Sequence, residues 1–339
     1  MNIAGYSIDI EAAAALIKQQ QYKTVAVQIP EGLKQQIFPI VELLEKETGA
    51  MVLVSADPCY GACDVVNYQL KNMDVDFVVH IGHTEIPGVE NFWIPTMYVN
   101  AFSTHEVDKV VEKAIPSLVG KRIGLVTTAQ HLLMLEKAET VLKNHGLQVT
   151  IPQGDDRIAM KGQILGCNFS AATKIMEEVD SFLFLGSGMF HPVGLYLSTK
   201  KPVIAADPYT NTVKKQEVED LKNNMLRLRY GAIVAAKSAR RFGILIGEKY
   251  GQQRVKLAKE LKKMLDDAGR KSILITLDDF SPLSLQGFSD LDCYVSTACP
   301  RIAIDDYQQY KKPILTPVEL EIVLGRREWE QYVFDEISA

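Results

Sequence analysis

Arg122-Ile123-Gly124-Leu125-Val126-Thr127 is a basic residue followed by a short apolar run, and it has two counterparts. They are Lys23-Thr24-Val25-Ala26-Val27-Gln28 and Arg241-Phe242-Gly243-Ile244-Leu245-Ile246. The first apolar residues stand at 25, 123 and 242, so the pattern returns after 98 and then 119 residues. Each run opens the same succession. A loop and an amphipathic helical stretch follow (Leu33 to Lys46, His131 to His145, Gln252 to Ala268). A second strand comes next: Met51-Val52-Leu53-Val54, Gln148-Val149-Thr150-Ile151 and Ser272-Ile273-Leu274-Ile275. A third is introduced by Val-Asp or Leu-Asp at Val75-Asp76, Val179-Asp180 and Leu291-Asp292. A fourth closes each pass at Thr96–Val99, Pro202–Ala205 and Pro313–Leu315.

Short β-branched strands alternating with helical stretches indicate parallel sheets with helical crossovers. The fold class expected is α/β: three similar small units, each a parallel sheet flanked by helices, arranged around a central site. The alternative is one large doubly wound domain with accidental internal similarity. The expected units are residues 1–105 with Cys63, 106–211 with Cys167, and 212–339, a linking helix and third unit with Cys299. The linking stretch, about Lys214 to Ala239 and running on to the next strand, carries Lys214, Lys215, Lys222, Arg227, Arg229, Lys237, Arg240 and Arg241. It reads as a solvated connecting helix, or as a docking face for an acidic partner.

The 339 residues are 47% hydrophobic and 23% charged, which is globular composition, and the net charge of −5 leaves no general nucleic-acid footprint. No apolar run is long enough for a membrane span. The N-terminal segment lacks the basic and apolar regions of a signal peptide, so the expected location is cytoplasmic.

Five cysteines, Cys59, Cys63, Cys167, Cys293 and Cys299, are an odd number, which argues against a disulfide framework and for metal binding, catalysis or burial. Ligands of open parallel sheets bind beyond the carboxyl ends of the strands. Cys63 lies beyond the second strand of the first pass, Cys167 beyond the second strand of the second, and Cys299 at the end of the third strand of the third. Packed as a ring, the units could turn all three sulfurs to the centre. Three thiolates suit a soft metal centre such as an iron–sulfur cluster. No histidine-rich companion motif points to zinc. The separations of 104 and 132 residues match no compact rule, and simple burial of the cysteines stays open. Cys59 and Cys63 form C-x3-C, but no third cysteine completes the usual radical S-adenosylmethionine loop. Cys293 falls inside an expected strand and reads as core.

Several segments resemble a known family, the archaeal diphthamide biosynthesis radical enzymes, 2-(3-amino-3-carboxypropyl)histidine synthases. They are Pro30-Glu31-Gly32-Leu33, Tyr60-Gly61-Ala62-Cys63-Asp64, Thr127-Thr128-Ala129-Gln130-His131, Gly166-Cys167-Asn168, Phe190-His191-Pro192, Phe242–Gly247 and Thr297-Ala298-Cys299-Pro300-Arg301-Ile302. They run in family order over about residues 20 to 325. The resemblance implies a 4Fe–4S cluster held by Cys63, Cys167 and Cys299, with S-adenosyl-L-methionine at the open iron. It implies an unconventional radical reaction in which the bond from sulfur to the methionine Cγ breaks. The 3-amino-3-carboxypropyl group then adds to the imidazole C2 of one histidine in translation elongation factor 2, leaving methylthioadenosine. It also implies a homodimer, and the chemistry requires an electron donor the sequence does not identify. The strand-end residues expected to hold the cofactor are Gln28, Glu31, Gln130, Gly186, Ser187, His191 and Asp207. Three rival readings accompany this one: a 4Fe–4S dehydratase of the quinolinate synthase type, a non-catalytic partner subunit, and a cofactor-free ligand-binding protein.

Overall fold

The structure is a computed structural model that describes residues 1–89 and 92–338. The chain begins with β1 (Asn2–Ile3), β2 (Tyr6–Ile8) and α1 (Ile10–Gln20). The first pass is β3 (Thr24–Gln28), α2 (Ile37–Thr48), β4 (Met51–Val54), β5 (Phe77–Ile81) and β6 (Thr96–Val99). β7 (Ala101–Ser103) and α3 (Asp108–Ala114) lead to the second, which is β8 (Arg122–Thr127), α4 (Leu135–Asn144), β9 (Gln148–Thr150), α5 (Ser170–Thr173), β10 (Ser181–Leu185), α6 (Phe190–Thr199) and β11 (Val203–Asp207). β12 (Thr212–Lys214) and α7 (Gln216–Ala236) connect to the third, β13 (Arg241–Gly247), α8 (Val255–Asp267), β14 (Lys271–Leu277), β15 (Cys293–Ser296), α9 (Arg301–Ile304), β16 (Ile314–Leu315) and α10 (Pro317–Val323).

The three main sheets share one strand order. It is β4-β3-β5-β6 in the first, β9-β8-β10-β11 in the second and β14-β13-β15-β16 in the third, all parallel. The central strands are buried on both faces, which is why they read as continuous apolar runs. Their covering helices show the complementary period. α4 buries Leu135, Ala138 and Leu142, and α8 buries Ala258, Leu261 and Leu265, the same i, i+3, i+7 stripe.

The repeated aspartate before each third strand has a physical job. One Asp76 carboxylate oxygen accepts from the amides of Lys23 and Thr24 at 2.7 and 2.9 Å. Asp180 does the same for Lys121 and Arg122 at 3.0 Å, and Asp292 for Arg240 and Arg241 at 2.9 Å. Each carboxylate ties the start of the first strand to the start of the third. All three lie below the ordinary aspartate range: the amide hydrogen bonds lead at Asp76 and Asp292, while at Asp180 the Arg122 guanidinium leads and the two amides add to it.

Three features depart from the sequence reading. The second sheet has a fifth strand: β12 returns antiparallel to β11 through a turn in which Asp207 Oδ1 accepts from the amides of Tyr209 and Thr210. A small antiparallel sheet, β1-β2-β7, joins the N-terminus to residues 101–103. Finally, Arg229 is no solvated charge of the connecting helix. It is fully buried and paired with Glu319 of α10, because α7 packs along α6 and α10.

Candidate functional site

Cys63, Cys167 and Cys299 come from three different sheets and meet. Cys63 sits in the loop after β4, Cys167 in a tight turn where Leu165 bridges Asn168, and Cys299 just after β15. All three are free thiols and partly exposed. Burial is the main influence on each and pushes all three thiols up, Cys299 to about 12. The next influence on Cys167 is charge on Cys63 and on Cys299, and the next on Cys299 is charge on Cys63. Thiols raised by burial, and at Cys167 and Cys299 also by neighbouring sulfur charge, need a shared positive centre to become thiolates together. Arg157 lowers Cys167 and Arg301 lowers Cys299, so cationic side chains already stand beside the sulfurs. Arg157 Nε is a buried donor without a partner among the described residues. This donor set fits a thiolate-held iron–sulfur cluster.

The segments that carry Cys63 and Cys167 are fastened by residues distant in the chain. The Gly251 amide donates to Cys63 O at 3.3 Å, and a Cβ at Gly251 would lie 2.4 Å from that of Cys63, so only glycine permits the approach. The neighbouring Gln252 donates through Nε2 to Cys63 Sγ at 3.3 Å. Lys249 pairs with Asp64, next to Cys63. The C-terminal segment crosses to the Cys167 turn: the Ile337 amide donates to Cys167 O at 2.7 Å, and Asn168 Nδ2 donates to Ile337 O at 3.0 Å. The sequence reading missed Gln252, Lys249, Arg157 and the 335–337 segment. They carry no local motif and matter only through where the fold brings them.

The strand-end residues separate into two groups. Gln28 is buried with its amide committed: Nε2 donates to Asp64 O, and Oε1 accepts from Val66 N and faces His80 Nδ1. It shapes the Cys63 loop. Glu31 pairs with Lys34, which also donates to Ala56 O and Asp57 O on the way to Cys59. Asp207 is taken up by its turn. Gln130 reaches across to Gly82 O at 3.3 Å. Gly186 adopts φ +145 at the end of β10, a conformation that favours glycine, and turns the chain into exposed Ser187. His191 stacks on Phe184 and lies beside Gly166, so it stands next to the Cys167 turn. Burial lowers it to about 4, so it is neutral near pH 7. Cys293 is fully buried in β15, and Cys59 is buried four residues before Cys63, beside His80 and His83.

Residues 29–333 match the family described as "Putative diphthamide synthesis protein". The chain is 38% identical over 325 residues to the 2-(3-amino-3-carboxypropyl)histidine synthase of Pyrococcus horikoshii, covering 95% of this chain and 91% of that one. It is 31% identical to 2-(3-amino-3-carboxypropyl)histidine synthase subunit 1 of the mouse, covering 97% of this chain and 74% of the relative. The crystal structure of Dph2 from Pyrococcus horikoshii with a 4Fe–4S cluster superposes with a TM-score of 0.88 at 36% identity, over 98% of this chain and 94% of that one.

Proposed function

We infer the activity of this chain from the family to which it belongs, the diphthamide synthesis proteins. It is a 2-(3-amino-3-carboxypropyl)histidine synthase, a transferase that uses a 4Fe–4S cluster and S-adenosyl-L-methionine in the first step of diphthamide biosynthesis. The observation that carries the reading is the convergence of Cys63, Cys167 and Cys299 from three sheets in a chain of this family. When bound, the cluster supplies an electron and an open iron for breaking the bond from sulfur to the methionine Cγ.

The chain's residues do the rest. Cys63, Cys167 and Cys299 hold the cluster. Gln252, donating to Cys63 Sγ, stabilises thiolate charge there, and hydrogen bonds to ligating sulfur set reduction potential. With ligands on three separate loops, no single short loop wraps the site. Gln130, the Gly186–Ser187 turn and His191 then shape the approach, while Gln28, Glu31 and Asp207 fix the loops behind them. Orientation decides which carbon reacts, since a misplacement of about 1 Å can cost on the order of a hundredfold in rate. The acceptor is the imidazole C2 of one histidine in elongation factor 2, in the cytoplasm, with electrons from a separate donor.

The chain works as a homodimer. Support comes from two edge strands that leave apolar residues in water: Met51 and Val54 on β4, and Ile273 and Leu274 on β14. No helix among the described residues is long and apolar enough to cross a membrane. Relatives named for this transfer, matched along nearly the whole chain, favour it over a dehydratase of the quinolinate synthase type. The presence of all three cysteines favours an active chain over a supporting subunit.

The test is reduction with dithionite in the presence of S-adenosyl-L-methionine and an archaeal elongation factor 2. Methylthioadenosine should be released and one histidine should gain an aminocarboxypropyl group. Main products of 5′-deoxyadenosine and methionine would overturn the reading.

A further inference from the structure

The first sheet carries a second group of ligating atoms, apart from the three convergent cysteines. Cys59 Sγ, His80 Nε2 and His83 Nδ1 lie within 4.8 Å of one another. The sulfur is 4.0 Å from His80 and 3.9 Å from His83, and the two ring nitrogens are 3.0 Å apart. Cys59 and His80 are buried and His83 is partly so. The local chain explains the grouping. His80 is the penultimate residue of β5, and Gly82, at φ +91, folds the chain so that the His83 ring comes back against it. The loop after β4 delivers Cys59 to the same spot.

The hydrogen bonds around His80 fix its tautomer. Gln28 Nε2 donates to Asp64 O at 2.8 Å and Oε1 accepts from Val66 N at 2.9 Å, so the amide oxygen faces His80 Nδ1, 2.8 Å away. An oxygen there can only accept, so Nδ1 carries the proton. Nε2 therefore presents its lone pair to Cys59 and His83. A histidine whose far nitrogen is held by an amide or carbonyl oxygen is the usual arrangement behind a metal ligand.

The spacing fits one ion. Bonds of about 2.3 Å to sulfur and about 2.05 Å to nitrogen at a tetrahedral centre give edges of about 3.6 Å (S to N) and about 3.4 Å (N to N). The observed 3.9 and 4.0 Å and 3.0 Å differ from these by less than about 0.5 Å, within small side-chain rotations. One thiolate and two imidazoles suit a borderline-soft divalent cation.

We propose that Cys59, His80 and His83 form a second metal site, for a divalent cation of the zinc class, with three protein ligands and one open corner. Binding releases the Cys59 thiol proton and leaves the His83 proton on Nε2. The ion fastens the Cys63 loop to the end of β5. The C-x3-C pair is thereby divided: Cys63 serves the cluster and Cys59 this ion. The sequence hides the site because the histidines stand 21 and 24 residues from Cys59, on another element.

The experiment uses the full chain, purified anaerobically with its cluster, incubated with micromolar zinc and desalted. Metal analysis and zinc K-edge absorption read iron and zinc separately. The wild type should keep one zinc per chain with one sulfur and two nitrogen neighbours. Cys59→Ser and His83→Gln should each lower retained zinc about tenfold or more while iron stays, which also shows that these variants fold. Cys63→Ala should lose iron and keep zinc. The proposal is overturned if the wild type retains no zinc, if zinc is indifferent to Cys59→Ser and His83→Gln, or if zinc leaves with Cys63→Ala, which would place it at the cluster's own cysteines.

Discussion

Replacing Arg229 by methionine should destabilise this chain far more than an ordinary substitution does. Arg229 and Glu319 are both fully buried. Nε donates to Glu319 Oε1 at 2.8 Å and Nη2 to Oε2 at 2.6 Å. The guanidinium also donates to Ala303 O at 2.5 Å and to Ile314 O at 2.6 Å. Arg229→Met leaves two buried carbonyls without those donors. It leaves the Glu319 carboxylate with the Thr316 amide at 2.8 Å and the Tyr332 hydroxyl at 3.3 Å. Breaking a buried pair on one side costs about 3–5 kcal/mol, because the remaining charge is stranded. With a urea dependence of about 3 kcal/mol per molar, the midpoint falls by about 1–1.7 M. The Arg229→Met/Glu319→Gln double variant removes both charges and keeps an acceptor for the Thr316 amide. It should recover more than half of the loss, since no net charge is then buried. Urea titration of the cluster-free, reduced chains measures this by fluorescence and circular dichroism. A single variant within about 1 kcal/mol of wild type, or a double variant no better than the single, would refute the argument. Ala303 lies four residues beyond Cys299 in α9, so Arg229→Met should also load less iron, and the double variant should regain it.

Cys63→Ala, Cys167→Ala and Cys299→Ala should each strip most of the iron, whereas Cys59→Ala leaves it nearly unchanged; iron and sulfide analysis separates the two outcomes. Asp76→Asn and Asp292→Asn should lower the thermal midpoint at pH 7. The wild-type carboxylates have depressed pKa values, so their contribution is present above the unfolded aspartate pKa and fades as the pH falls through the folded one. The gap between variant and wild type should therefore close in acid, and a gap independent of pH counts against the charge. Burial lowers His131 to about 4, so the unfolded chain takes up its proton first as the pH drops. Its contribution, on the order of 3 kcal/mol, is complete above the unfolded pKa of about 6.5 and is lost on going down to about pH 4. His131→Asn should flatten stability against pH in that window.

The repeated strand pattern was legible because a strand buried on both faces must be a continuous apolar run, as Phe182–Leu185 and Phe242–Ile246 are. The Val-Asp and Leu-Asp repeat was legible for an equally local reason: each aspartate ties the amide of the residue before the first strand and that of the strand's first residue, at the same register in every sheet. The cysteines could be placed at strand ends, and the family by its segments. Their meeting belongs to packing between sheets, and residues 63, 167 and 299 share no sequence neighbourhood through which to announce it. The same holds for Gln252 on Cys63, for Ile337 on Cys167 and for the burial of Arg229 against Glu319. Periodicity within one element is set by which face meets the core, and a sequence records that directly. Contacts between elements depend on how whole units dock, and no local pattern encodes the partner's identity; only the tertiary structure decided them.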